Sequence, residues 1–203
     1  MNKILLSFIV LFCAALTCYA QVPGEGDSGF RISGGFGIGA GIGSHASDYP
    51  VASGLNLNFE IPAGDELPLN IILKTGYTFF ISKDGYSYSS YYGTTGSIVS
   101  FVPLQAGARL YMSKLFIEAA AGASFCINNT YQNYTARKTA LLVSPAIGYG
   151  FRFGYSGKMG LDLSLGYDAR LEKKSEIFYD DGTVTSYGGF NQVAFRIAFS
   201  YGL

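Results

Sequence analysis

The chain has 203 residues, with 14 basic and 14 acidic side chains and one histidine, so it offers no basic stripe of the kind a nucleic-acid partner needs. It is 49% hydrophobic and carries 27 glycines, 16 tyrosines, 16 phenylalanines and no tryptophan. Past the first twenty residues no run of 18 consecutive apolar residues occurs, which excludes membrane-spanning helices.

Residues 1–20 read as a cleaved secretory signal peptide: Lys3 is a positive start, Ile4 to Leu16 an apolar core, and Thr17-Cys18-Tyr19-Ala20 a small-residue cleavage site before Gln21. As a lipoprotein box, Ala15-Leu16-Thr17-Cys18 fits poorly. Residues 21–203 are then one domain, of formal net charge about −1 once Lys3 is lost, with no separate periplasmic domain expected. Cys13 and Cys18 leave with the leader, so Cys126 has no disulfide partner and no thiolate metal site is expected.

The first element is the glycine run Ser33 to Ser44, S-G-G-F-G-I-G-A-G-I-G-S. A phosphate-binding fingerprint needs unevenly spaced glycines that hand over to a helix. Here the spacing is two, the period of a strand. Phe30, Ile32, Phe36, Ile38, Ala40 and Ile42 share one face, and Arg31, Ser33 and the odd-numbered glycines share the other. A face of glycine leaves room for large side chains from neighbouring strands.

Alternation recurs in Val51–Ile61, Leu69–Ser82, Ile98–Met112, Leu115–Ile127, Thr139–Phe153, Met159–Leu171 and Val193–Leu203. Each is long enough to cross a bilayer at a slant. The links alternate too: Ser44–Pro50, Lys83–Ser97, Asn128–Lys138 and Glu172–Gly188 are mostly long and polar, whereas Pro62–Pro68, Ser113-Lys114 and Gly154–Lys158 are short. Long loops at one end and tight turns at the other are the pattern of an outer-membrane barrel.

Charge placement separates this fold from a secreted β-sandwich. Arg31, Glu60, Lys74, Arg109, Glu118, Arg152, Asp162, Asp168, Arg170 and Arg196 all fall on the small or polar face of their strands. A sandwich would put charges outside and apolar residues inside. A basic residue facing lipid at mid-bilayer costs about 2–4 kcal/mol, so a membrane barrel needs this arrangement. The expected fold is all-β, an eight-stranded antiparallel up-and-down transmembrane barrel.

With the segment Val102-Pro103-Leu104-Gln105-Ala106-Gly107-Ala108-Arg109-Leu110-Tyr111 before a tight turn, and Phe116 to Gly122 after it, the pattern resembles the small porin-like or OmpX-like outer-membrane barrels of Bacteroidetes-type bacteria. The resemblance implies residence in the cell outer membrane, contact with its lipid and lipopolysaccharide, and insertion by the barrel-assembly machinery. Such barrels usually finish on an aromatic residue; this chain finishes Phe199-Ser200-Tyr201-Gly202-Leu203, so Leu203 departs from the pattern while Tyr201 keeps it.

An eight-stranded lumen is filled by side chains or holds one small ligand. The ten inward charges are expected to form an ion-pair network: Arg109 lies opposite Glu118, Arg152 matches Asp162, and Arg31 shares the depth of Glu60. Lys74, Asp168, Arg170 and Arg196 lie higher and could line a shallow external cavity. The network reads as a structural plug, with a gate or ion path as the alternative. Cys126 reads as a small buried thiol near the top of its strand.

In the loops, Ser44-His45-Ala46-Ser47-Asp48 holds the only histidine. Ser, His and Asp are the groups acyl transfer needs, as in enzymes that remodel lipid A, but a triad is recognised by geometry and not by adjacency. His45 is expected to be a solvated loop residue. Tyr86, Tyr88, Tyr91 and Tyr92 among serines and glycines suit either an adaptable binding surface or an aromatic girdle at the membrane boundary. Asp181-Gly182 predicts a hairpin whose edges could accept a foreign strand. The expectation is therefore a non-enzymatic envelope protein with a structural, binding or adhesion role, without cofactor or metal, its external partner open. A small-solute channel is the alternative, and a lipid A-modifying enzyme a further one.

Overall fold

The computed structural model describes residues 29–64, 67–83, 89–90, 93–94, 98–127, 137–153, 158–172, 175–178 and 184–203. Twelve strands run through them: β1 (Arg31–Ile42), β2 (Val51–Pro62), β3 (Leu69–Ile81), β4 (Ser89–Ser90), β5 (Gly93–Thr94), β6 (Ile98–Met112), β7 (Leu115–Cys126), β8 (Thr139–Phe153), β9 (Met159–Leu171), β10 (Ser175–Phe178), β11 (Val184–Tyr187) and β12 (Asn191–Gly202). Eight of them close in the order β1-β12-β9-β8-β7-β6-β3-β2, every pairing antiparallel. The last of these begins at Asn191, two residues earlier than the alternation alone suggests, because Asn191 and Gln192 pair with Ile42 and Gly41 of β1. Closure removes the free edges an open sheet would present.

Two small hairpins stand outside the barrel, β4 with β5 and β10 with β11. In the second, Phe178 pairs with Val184 and Ser175 with Tyr187, which is the predicted ribbon; its Asp181-Gly182 turn lies outside the described residues. So do the leader and Tyr86, Tyr88, Tyr91 and Tyr92.

The period of two sorts the side chains. Outward residues are apolar and exposed, among them Phe36, Leu55, Leu104, Ile147, Leu165 and Phe199, and inward ones are polar and mostly buried. A continuous apolar belt of this size on a barrel exterior is a surface made for lipid.

The glycines on the inner face do make room. A Cβ on Gly37 would lie 3.0 Å from Arg196 Cγ, one on Gly166 2.2 Å from Arg196 Nη1, and one on Gly148 2.2 Å from Phe116 Cζ. Two prolines interrupt the ladders, Pro103 on the inner face and Pro145 on the outer: β3–β6 pairing skips from Thr75↔Leu104 to Thr78↔Phe101 around Pro103, and β8–β9 skips from Val143↔Ala169 to Ala146↔Gly166 around Pro145. Proline has no N–H to donate there. At the short-turn end, β6 and β7 are joined by Ser113-Lys114, with Ser113 at φ +62°, as a two-residue hairpin of primed type requires at its first position.

Candidate functional site in the barrel lumen

The inside of the barrel is built in tiers. At the short-turn end, six strands send side chains to one point, and Arg109 of β6 is its centre. Its Nε and Nη2 donate to Glu118 Oε2 at 2.9 and 2.6 Å, and Nη1 reaches Asp162 Oδ2 at 3.2 Å and Glu60 Oε1. Asp162 Oδ1 also takes Arg152 Nη1 at 2.6 Å, and Glu118 Oε1 takes Lys74 Nζ. Glu60 Oε2 accepts from the Tyr111 hydroxyl at 2.7 Å and from Asn70 Nδ2 at 3.2 Å. The Arg109 guanidinium lies 4.2 Å from the Phe116 ring centroid. Three cations meet three carboxylates, and the Glu60 and Arg109 side chains are 0% and 4% exposed. Charges this deep are tolerable only when paired and hydrogen-bonded on all sides, as these are.

This floor differs in detail from the expected one. Lys74 was expected higher up, yet its long side chain descends to Glu118 and joins the floor. Arg109 and Glu118 are register partners. Arg152 and Asp162 are not: Arg152 pairs with Gly160 and Asp162 with Gly150, and the ion pair forms along the diagonal over these two glycines. Arg31 shares its register row with Glu60 and donates to Ser200 Oγ at 3.3 Å.

The middle tier is a polar cavity of about 50 Å³. Asp168 pairs with Arg196 and accepts from Gln192 Nε2 at 2.6 Å. Gln105 donates to Ser144 Oγ at 3.0 Å and to the Leu142 carbonyl at 3.3 Å. Directly above lies a smaller, more apolar cavity of about 20 Å³ beneath Phe80, Phe101 and Phe190.

Of the residues expected to line a shallow external cavity, Lys74, Asp168 and Arg196 line the middle cavity and Arg170 the smaller one above it. In the top tier, at the long-loop end, Tyr49, Phe80, Phe101, Phe190, Val99 and Cys126 form a buried apolar cluster. One expectation is overturned there: His45 is not solvated but 2% exposed. Its ring stacks on Phe190 at 4.0 Å and 7°, and Nε2 lies 2.8 Å from the Gly188 carbonyl, to which it donates. Ser44 Oγ accepts the Gly188 N–H at 2.7 Å. Tyr49 meets Phe190 edge-on at 5.3 Å, and its phenol is pushed up from its ordinary pKa by burial and then by Asp48. Ser47 donates to Asp48 at 3.2 Å. Arg170, at the edge of this tier, sits 4.5 Å from the Phe101 centroid, donates to Ser124 Oγ at 3.2 Å and to the Arg137 carbonyl at 2.6 Å, and pairs with Glu172. Cys126 is buried, as expected, and is in no disulfide among the described residues.

Phe190 was missed because it lies outside any alternating run, in the Gly188-Gly189-Phe190 segment before β12. A large aromatic flanked by Gly-Gly and Asn next to a polar strand start was the available signal.

No protein-family model matches the chain, and no curated protein matches it at a significant level. Among solved structures, the chain is similar to Neisserial surface protein A (NspA), with a TM-score of 0.51 and 13% identity over 88% of this chain and 100% of that one. It is similar likewise to the outer membrane protein AlkL determined in lipid bilayers, with a TM-score of 0.52 and 12% identity over 91% and 94%. At such identities the likeness is one of fold. Taken with the apolar belt outside and the ion-paired interior, that fold makes this chain an eight-stranded β-barrel of the outer membrane.

Proposed function

We propose that the protein is an integral envelope barrel whose lumen is a structural plug and whose external loops carry the function, by contacting lipopolysaccharide at the rim and a protein or saccharide partner beyond it. The observation that carries this reading is the double closure of the lumen, by the Arg109-centred ion pairs at one end and the His45–Phe190 stack at the other. A path for ions would have to breach both. Three long links, Lys83–Ser97, Asn128–Lys138 and Glu172–Gly188, leave the barrel at the aromatic end, and the β10–β11 ribbon projects there with strand edges of the kind that pair with extended segments. Insertion would follow the usual route through the barrel-assembly machinery, with Phe199 and Tyr201 as the outward aromatics of the last strand.

The reading has no catalytic step. Imidazole Nε2 is taken up by a backbone carbonyl and the ring by stacking, a positioning role in which His45 fastens the first loop to the segment before β12. Single-channel conductance of the refolded mature protein in a planar bilayer tests the plug. Silence from the parent, with conductance steps appearing only when Arg109→Ala/Arg152→Ala is combined with Phe190→Ala to open both ends, is the expected result. Stable steps from the parent would replace the plug with passive transport of small solutes. For the enzymatic alternative, the lipid A acyl pattern of cells carrying His45→Ala should equal that of the parent.

A further inference from the structure

The two stacked cavities in mid-lumen share Thr78, Pro103, Leu142, Asp168 and Gln192 in their walls, so they adjoin and together make a space with two chemistries. The upper part is apolar, under Phe80, Phe101 and Phe190. The lower part is polar, and two residues of its wall each carry a buried atom that meets no hydrogen-bond partner among the described residues: the donor Arg196 Nη1 and the acceptor Asn56 Oδ1. Leaving such atoms unsatisfied away from water is costly, and in native proteins they mark a bound molecule or water. Formal charge around them is already balanced, Arg196 by Asp168 and Lys74 by Glu118. The site therefore favours a neutral molecule over an ion.

We propose that this space is a binding site for a small neutral amphiphile: a head that both accepts and donates a hydrogen bond, placed between Arg196 and Asn56, and a short apolar end directed at Leu142 and Phe101. The volumes, about 50 and 20 Å³, correspond to about five water-sized units, the scale of a primary amide with a short alkyl chain. An amide carbonyl would accept from Arg196 Nη1 and its N–H₂ would donate to Asn56 Oδ1. The Phe190 ring, held by His45 and Tyr49, is the cover over the apolar end. The proposal goes beyond the plug reading and does not depend on the loops, since an occupied, sealed lumen is silent in a conductance assay.

Propionamide is the probe, titrated into the isotope-labelled full barrel in lipid nanodiscs and followed by NMR. Saturable shifts are expected at Leu142, Gln192 and Ala194, with a half-point in the millimolar range, and with propionate producing at least tenfold weaker binding. Asn56→Leu and, separately, Leu142→Phe should abolish saturation, the first by removing the acceptor and the second by filling the apolar end without touching a polar group. Linear, non-saturating shifts, or saturation that survives in both variants, would overturn the site and leave water as its only occupant. Propionate binding as well as propionamide would overturn the neutral-ligand assignment.

Discussion

Arg109→Met tests the floor of the barrel most directly, because Arg109 touches all three carboxylates there. After the substitution Glu118 keeps Lys74 and Asp162 keeps Arg152. Glu60 keeps the Tyr111 hydroxyl and the Asn70 amide but loses the cation that sits on it. Breaking one side of a buried ion pair costs about 3–5 kcal/mol, and loss of the guanidinium from the Phe116 face adds about 0.5–2 kcal/mol; methionine recovers part of the packing. The net expected loss is about 4 kcal/mol. With a urea slope of about 1–3 kcal/mol per molar, the unfolding midpoint in lipid vesicles moves down by more than about 1 M. Far-UV circular dichroism and the gel mobility of the unheated barrel are suitable probes, since the chain has no tryptophan. Glu60→Gln added to Arg109→Met should restore at least half of the loss, because it removes the orphaned charge. A single-variant cost below about 1 kcal/mol, or additive costs in the double variant, would refute the argument that these charges stabilise each other as a network.

Three further outcomes are expected. Ser113→Gly should raise stability by about 0.5–1 kcal/mol, since a non-glycine residue at φ +62° carries about 1–2 kcal/mol of strain that glycine removes, less its own entropy cost; equilibrium unfolding measures it, and a loss would mean that Ser113 is held by more than its turn. Gly148→Ala should destabilise by about 1–3 kcal/mol, as the new methyl would fall 2.2 Å from Cζ of the fully buried Phe116 and drive that ring into Arg109; relief by a simultaneous Phe116→Leu would identify the clash. Leu165→Arg, at the middle of β9 on the exposed apolar face, should cost about 2–4 kcal/mol in lipid, read as a lower folded fraction by gel mobility, whereas a neutral outcome would take Leu165 out of the bilayer.

The strands, their inward and outward faces and the long-loop asymmetry were legible in the sequence because the period of two is a local property that each strand declares for itself. Pairs set by one tight turn were legible for the same reason: two residues between β6 and β7 leave a single register, and Arg109 meets Glu118. The longer Gly154–Lys158 link left the register undetermined, and Arg152 and Asp162 meet on a diagonal over Gly150 and Gly160. What only the closed barrel decided are contacts across the lumen, Lys74 with Glu118 and Arg109 with Glu60, between strands that are not joined by a turn. The aromatic lid belongs to the same class. His45 and Phe190 are 145 positions apart and neither lies in an alternating run, so nothing local distinguishes them from solvated loop residues. They become a stacked pair because β1 and β12, the first and last barrel strands, close against each other and bring their loop ends to one mouth.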